Sequence, residues 1–193
     1  MLFSPLRLIV LLLLLSCAKN QAAEWYQVEV VYLPKGIFTS GIATPDGDTG
    51  KALAAAIADP KTEKILFPKL KVEAGVEGTA SEQKDFSYVS AYDSDGKATQ
   101  SAIRKIGPLL TSTVTPSASE VLDVALHAEN VAVEQYKTYK TGSDAELKQP
   151  VFGLRDLGPS LFHVRKGYWV LIGGFPQERP AGTFAFRVTS VAP

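Results

Sequence analysis

The chain has few of the residues on which enzymes and nucleic-acid binders most often depend. It has one cysteine and two histidines in 193 residues. A single cysteine excludes an intramolecular disulfide and a zinc site built from several thiolates. Twenty basic residues are balanced by twenty acidic ones, so the excess positive charge by which proteins bind phosphates is missing. The sequence therefore predicts no cofactor and no nucleic-acid partner.

Catalytic motifs are missing as well. The sequence contains no Gly-x-Ser-x-Gly nucleophile elbow, no phosphate-binding loop and no zincin motif. The two histidines, His127 and His163, lie in strand-like segments without clustered acidic residues beside them. We therefore predict no catalytic and no metal-binding residues. An enzyme stays open as an alternative, which would require a cleft that gathers His127 or His163 with acidic residues.

The only long apolar run lies at the N-terminus. Leu8–Leu15 consists of Leu, Ile and Val, follows Arg7 and precedes small and polar residues. This order is typical of a secretory signal peptide, and the run is shorter than the roughly 20 residues that span a bilayer. We predict a signal peptide over residues 1–23 and no transmembrane helix in the mature chain. The protein is expected to be exported to the periplasm or the outer membrane.

The cysteine gives this signal peptide two interpretations. Cys17 follows Leu14-Leu15-Ser16, which is similar to a bacterial lipobox, so that Cys17 would carry lipid. Alternatively, an ordinary signal is cleaved after Ala22 or Ala23, and Cys17 is removed with it. Under both interpretations residues 24–193 are expected to form a single domain, because 46% apolar and 21% charged residues are ordinary for a packed globular chain.

The rest of the chain is dominated by patterns of β-structure. Trp25–Leu33 is rich in aromatic and β-branched residues, which is typical of a half-buried strand. Similar patterns predict strands at 65–72, 86–92, 109–114, 120–133, 161–164, 168–172 and 183–191. Turns are predicted at Gly75, at Gly78 and at Asp93–Gly96.

One helix interrupts this pattern. Lys51–Ala58 consists largely of alanine with one leucine, Asp48 or Thr49 can cap its start, and Asp59-Pro60 ends it. A helix of about two turns must pack against other elements to be stable. The predicted fold is therefore α+β and predominantly β, with a mostly antiparallel sheet and one short helix.

A series of motifs follows towards the C-terminus. A strand led by Pro150 contains Arg155, an alternating strand follows, Lys166-Gly167 predicts a hairpin turn, and an apolar strand ends in Gly173-Gly174. Together these motifs resemble the C-terminal domain of bacterial secretins, the outer-membrane ring proteins of type II and type III secretion and of pilus systems. The resemblance implies a secretin-like C-terminal hairpin.

Two weaker motifs support the same resemblance. A strand led by Gly107 ends in Thr115-Pro116, and the predicted helix is followed by a strand with a proline and then by Gly75. The matches occur in the family's order and cover roughly residues 28–175. The resemblance therefore assigns structural roles in the family motifs to Gly107, Pro116, Pro150, Arg155, Gly167, Gly173 and Gly174.

The sequence departs from this family in two respects. Secretins are multi-domain chains, whereas here the domain is expected to begin a few residues after the signal peptide. Residues 116–149, where membrane-facing strands would be expected, carry many charged side chains. Only Val121–Val133 has a long enough apolar alternation for one such strand. A gated channel is therefore not predicted.

These observations predict a non-enzymatic envelope protein with a structural or assembly role linked to protein secretion. Its expected partners are envelope proteins or further copies of itself, which would pair through exposed strand edges and form an oligomer. The alternative is a periplasmic binding module for a cell-wall glycan or a protein partner. In that case Trp25 or Tyr26 would provide a stacking platform for the glycan.

Overall fold

A computed structural model describes residues 23–34, 38, 40–140, 146–173 and 182–193. Within these ranges one helix and a series of strands form two antiparallel sheets. The elements in chain order are β1 Trp25–Leu33, β2 Gly41–Ala43, α1 Asp48–Ala58, β3 Ile65–Leu66, β4 Leu70–Glu73, β5 Gly78–Ser81, β6 Lys84–Tyr92, β7 Ala98–Ala118, β8 Val121–Lys140, β9 Glu146–Arg165, β10 Trp169–Gly173 and β11 Thr183–Val191. The predicted fold class is confirmed.

Sheet A has the strand order β2-β10-β11-β1-β3, and β4 also pairs with β1. All nine residues of β1 pair with β11, from Trp25 opposite Val191 to Leu33 opposite Thr183. Tyr26, Val28 and Val30 alternate along β1 and are buried, as the β-branched and aromatic pattern predicts. The strand Trp25–Leu33 is therefore confirmed and lies at the centre of this sheet.

Sheet B has the order β5-β7-β8-β9, and β6 pairs with β7. Its three main strands, β7, β8 and β9, are 21, 20 and 20 residues long. The even-numbered residues from Leu122 to Ala128 are buried, whereas their odd-numbered neighbours are not. The buried face packs against sheet A, and the two faces form one hydrophobic core. This core is the main source of stability, because apolar burial is the dominant favourable term in folding.

Helix α1 covers the other face of sheet A. Leu53 is fully buried in a second cluster with Val31 and Leu33 of β1 and Leu171 of β10. The predicted end of the helix is confirmed, since the N–H of Asp59 donates to the carbonyl of Ala55. The predicted cap is wrong: Gly47 is the N-cap, no side chain caps the helix, and Asp48 already lies in the first turn. A carboxylate in that turn still interacts favourably with the helix dipole.

The long strands of sheet B extend well beyond the predicted segments. The predicted strand at 109–114 belongs to a strand of 98–118, and the predicted strand at 120–133 continues to Lys140. The sequence indicated only one segment with a long apolar alternation, Val121–Val133, whereas three strands of 20 or 21 residues are present. Residues 98–105 and 134–140 are almost all exposed. Neither face of these segments therefore carries the apolar alternation by which strands are identified.

The predicted hairpin across Lys166-Gly167 is wrong in its pairing. Gly167 has a φ of 82°, and the N–H of Tyr168 donates to the carbonyl of Arg165, so the turn itself is present. However, β9 belongs to sheet B and β10 to sheet A, where β10 pairs with β11. The C-terminal hairpin is therefore formed by β10 and β11. A second correction concerns Gly78, which begins β5, whereas the turn at Gly75 is confirmed.

Candidate functional site

The longest unpaired strand edge in the described part of the chain belongs to β9. Eighteen of its 20 residues pair with β8 on one side, and no described strand pairs with the other side. Pro150 and Pro159 both lie in this strand. Proline cannot donate a backbone hydrogen bond, and within sheets it is confined to edge strands, strand starts and bulges. An edge of this length offers unpaired N–H and C=O groups to another strand.

A second open edge lies on the opposite side of sheet B. There β5 pairs with residues 109–112 of β7, and β6 pairs with residues 98–106 of the same strand. Within the described ranges neither β5 nor β6 pairs with a further strand. Sheet B therefore has two different open edges, which can pair head to tail between copies of the chain.

Gly107 marks the point where β7 changes its partner. From Gly107 to Ala118, β7 pairs with β8, whereas Ala98 to Ile106 pair with β6. Gly107 has a φ of 118°, and a Cβ at this position would lie 2.7 Å from the carbonyl oxygen of Glu82. Both the dihedral angle and the close backbone approach favour glycine. This gives a physical reason for the glycine at the predicted motif position.

The hairpin of β6 and β7 folds back over β9. The rings of Phe86 and Tyr88 lie 6.0 and 5.2 Å from the ring of Phe152, centroid to centroid. The guanidinium of Arg104 lies 4.6 Å from the same ring. Aromatic pairs and cation–π contacts at such distances each stabilise by roughly 0.5–1.5 kcal/mol. Phe152 therefore joins this hairpin to β9.

Arg155, which the resemblance singled out, joins β8 to β9. Its Nη2 lies 2.5 Å from Oε1 of Glu134, and its guanidinium lies 6.0 Å from the buried ring of Tyr32. Gly153 lies beneath the Glu134 side chain, and a Cβ on Gly153 would overlap that carboxylate. Arg155 thus links two strands of sheet B and approaches β1 of sheet A.

The other motif residues lie apart from each other. Gly173 ends β10, where its N–H donates to the Ser40 hydroxyl over 2.9 Å and a Cβ would lie 3.3 Å from the carbonyl oxygen of Phe38. Pro116 is exposed near the end of β7, opposite Leu122. Gly174 and Cys17 lie outside the described residues. The family roles predicted for these positions stay predictions.

The two histidines each pair with an acidic residue of the neighbouring strand. Nδ1 of His163 lies 2.5 Å from Oδ1 of Asp123, and Nε2 of His127 lies 3.3 Å from Oδ1 of Asp156. Sequence reasoning missed both pairs, because the partners are 40 and 29 residues away along the chain. No group of three metal-ligating side chains occurs among the described residues. The two histidines therefore contribute cross-strand contacts with carboxylates to sheet B.

Of the aromatic residues proposed as a glycan platform, Tyr26 is buried and Trp25 is partly buried. Tyr26 is 2% exposed and donates to Glu24, and its burial together with that carboxylate raises the pKa of Tyr26 to about 12. The Nζ of Lys71 lies 5.1 Å from the ring of Trp25. Trp169 is buried beneath Arg187, whose guanidinium lies 4.7 Å from its ring. These rings pack within the protein and against its own cations.

Comparison with known proteins finds solved structures with a similar fold, whereas the sequence comparisons give no match. No family model and no curated protein matches the chain. Among solved structures, Aeromonas hydrophila ExeD matches 100% of the chain at a TM-score of 0.51 and 13% identity. The type II secretion system secretin GspD of E. coli K12 matches 100% of the chain at a TM-score of 0.54 and 10% identity. The injectisome secretin InvG of Salmonella matches 97% of the chain at a TM-score of 0.54 and 12% identity.

The fold is that of a secretin domain. The resemblance inferred from the motifs is therefore confirmed at the level of fold. The match covers 54% of the Aeromonas chain, 55% of the E. coli chain and 70% of the Salmonella chain. Among the described residues, no helix has the length and apolar character needed to cross a membrane.

Proposed function

We propose that this protein is a non-enzymatic component of the bacterial envelope that assembles through strand pairing and has a structural role in protein secretion. The observation that carries this proposal is the unpaired 20-residue edge of β9 in a secretin-like sheet. The similar solved structures are described as secretins of a type II secretion system and of an injectisome. Non-enzymatic assembly is the activity that an open sheet edge can perform.

Head-to-tail pairing follows from the arrangement of sheet B. The edge of β9 in one copy would add to the edge formed by β5 and β6 in the next copy. Such an interface joins two different surfaces, so it forms a ring when the rotation between copies closes and a filament otherwise. Main-chain hydrogen bonds would provide the affinity, as in other cases of strand addition. Pro150 and Pro159 each remove one donor, so they restrict the registers that β9 can adopt.

The location belongs to the same proposal. Residues 1–23 would direct export, and the mature domain would act in the periplasm or at the outer membrane. Lipid on Cys17 would anchor it there. The intact mass of protein extracted from membranes tests this directly, because a mature chain that begins with lipidated Cys17 differs in mass from one that begins after Ala22 or Ala23.

The oligomeric state of the purified protein tests the assembly. Native mass spectrometry is expected to find multiples of the single-chain mass. Two single variants, Ser160→Pro and Leu161→Pro, sharpen the test, because successive N–H groups of a strand point to opposite edges. One variant removes a bond to β8, and the other removes a donor from the open edge.

The variant that loses the outward donor is expected to keep its circular dichroism spectrum and to lose assembly. The proposal fails if the unmodified protein is a monomer at every concentration. It also fails if both variants fold and assemble as the unmodified protein does.

A further inference from the structure

A groove crosses the face of sheet B that points away from sheet A. It has a volume of about 410 Å³, and its central residues are Thr111 and Thr113 of β7 and Ala125 and His127 of β8. Binding pockets typically have about 300–1,000 Å³. The groove is therefore large enough for a few side chains of a partner and too small for a folded domain.

Short side chains form the floor of this groove, and a bulge shapes its side. Thr113 lies opposite Ala125, and Ala125 lies opposite Leu161, whose side chain is 65% exposed. Beside Leu161, β9 has one extra residue between Leu157 and Ser160, so its register with β8 shifts. Such a bulge bends the strand and redirects its side chains. The result is a floor of short side chains next to one exposed apolar wall.

The surroundings of the groove are acidic. Glu77 lines it, and no lysine or arginine is among the described residues that do so. Towards one end Glu129 of β8 lies directly opposite Asp156 of β9, and Asp123 lies towards the other end. Two like charges directly opposite each other destabilise a sheet. His127 contacts Asp156, and Glu129 is in register with Asp156 across the two strands. A cationic side chain of a partner would interact favourably with these carboxylates.

We propose that this groove binds an extended basic polypeptide segment. Small or apolar side chains of the segment would lie over Ala125 and against Leu161. Its lysine or arginine side chains would interact with the carboxylates of Glu129 and Asp156 at one end and of Glu77 beside the floor. The groove is lined in part by residues 159–161 of β9 but opens on a face of sheet B, so peptide binding is measured separately from assembly through the β9 edge.

A labelled peptide tests the proposal on the purified protein. The probe is an eight-residue peptide of alternating lysine and alanine, and fluorescence anisotropy measures its dissociation constant at low salt. The double variant Glu129→Gln with Asp156→Asn is expected to bind about three- to tenfold more weakly, because it removes two exposed carboxylates that would pair with lysines of the peptide. Ala125→Trp fills the groove without changing the charge, and a similar loss is expected.

The control removes the same two charges elsewhere. Glu63→Gln with Asp95→Asn changes two exposed residues that do not line the groove, and it is expected to leave the dissociation constant unchanged. The proposal is overturned if the control weakens binding as much as the groove variant, because binding would then depend on net charge alone. It is also overturned if the peptide does not bind, or if a matched glutamate–alanine peptide binds equally well.

Discussion

Glu134 and Arg155 form an ion pair across β8 and β9, with 2.5 Å between Oε1 and Nη2, and the carboxylate lies directly over Gly153. The three residues depend on each other, because a side chain on Gly153 would occupy the space of the carboxylate. Glu134 and Arg155 are 21 residues apart along the chain, and the register of β8 and β9 brings them together.

Gly153→Ala is expected to displace Glu134 and to weaken its ion pair with Arg155. Both side chains are partly exposed, so the loss in the free energy of unfolding should be about 0.5–1 kcal/mol. The cost should vanish in a Glu134→Ala background, where the new methyl group has room. A double-mutant cycle by urea denaturation measures this coupling. Equal costs in both backgrounds would contradict the contact.

Gly107→Ala is expected to lower the free energy of unfolding more than Gly153→Ala does. The new Cβ would lie 2.7 Å from a backbone oxygen, and φ is 118°. Backbone strain of this kind costs of order 1–3 kcal/mol. Gly158→Ala is the matched control, since a Cβ on Gly158 has no neighbour within 4 Å. Thermal unfolding should show a clear loss for Gly107→Ala and a small change for Gly158→Ala. Similar losses of thermal stability for the two variants would contradict a special requirement for glycine at position 107.

Glu29 is expected to make the free energy of unfolding depend on pH in the acidic range. Burial alone would raise its pKa, but hydrogen bonds from Lys69 and Arg187 and their positive charges outweigh it and hold the pKa of Glu29 below its ordinary value of 4.5. A carboxyl with a lowered pKa in the folded state stabilises above its unfolded pKa, and this contribution is lost as the pH falls through the folded pKa.

Glu29→Gln should therefore cost about 1 kcal/mol at pH 7 and progressively less below about pH 4. Urea denaturation across this range, with Glu63→Gln as the exposed control, measures the difference. A cost that is independent of pH would contradict the ion-pair explanation.

Phe152→Ala is expected to release the hairpin of β6 and β7 from β9. Loss of its ring contacts with Phe86, Tyr88 and Arg104 should speed hydrogen exchange in residues 84–106. The strands of sheet A should keep their protection, because local openings leave the distant core intact. Hydrogen–deuterium exchange with mass spectrometry resolves the two regions. An increase spread evenly over both sheets would indicate a general loss of stability instead.

The sequence predicts those elements that bury at least one face. The alternation of apolar residues in β1 and the alanine-rich composition of α1 were sufficient to predict these two elements, because both pack on a core. The distal parts of β7 and β8 were missed because most of their side chains are exposed on both faces. The turn at Gly167 was visible, but local sequence does not reveal that the strand after it joins the other sheet.

The candidate site was predicted only in part. Strand edges were expected to mediate assembly, and the motif residues Pro150 and Arg155 do lie in the edge strand β9. The opposed carboxylates of Glu129 and Asp156 and the partners of both histidines depend on the register of β8 and β9. Register between strands far apart along the chain is set by packing of the whole sheet, so these relationships required the structure.

Disulfide cross-linking between the two open edges tests the central claim most directly. In a Cys17→Ser background, Thr79→Cys on β5 is combined with Leu161→Cys on β9, and Ile42→Cys, which is as exposed as Leu161, replaces Leu161→Cys in the control. Mild oxidation is expected to yield a ladder of dimers, trimers and larger species for the first pair and none for the control. A single monomer band for both pairs would contradict head-to-tail assembly through β9.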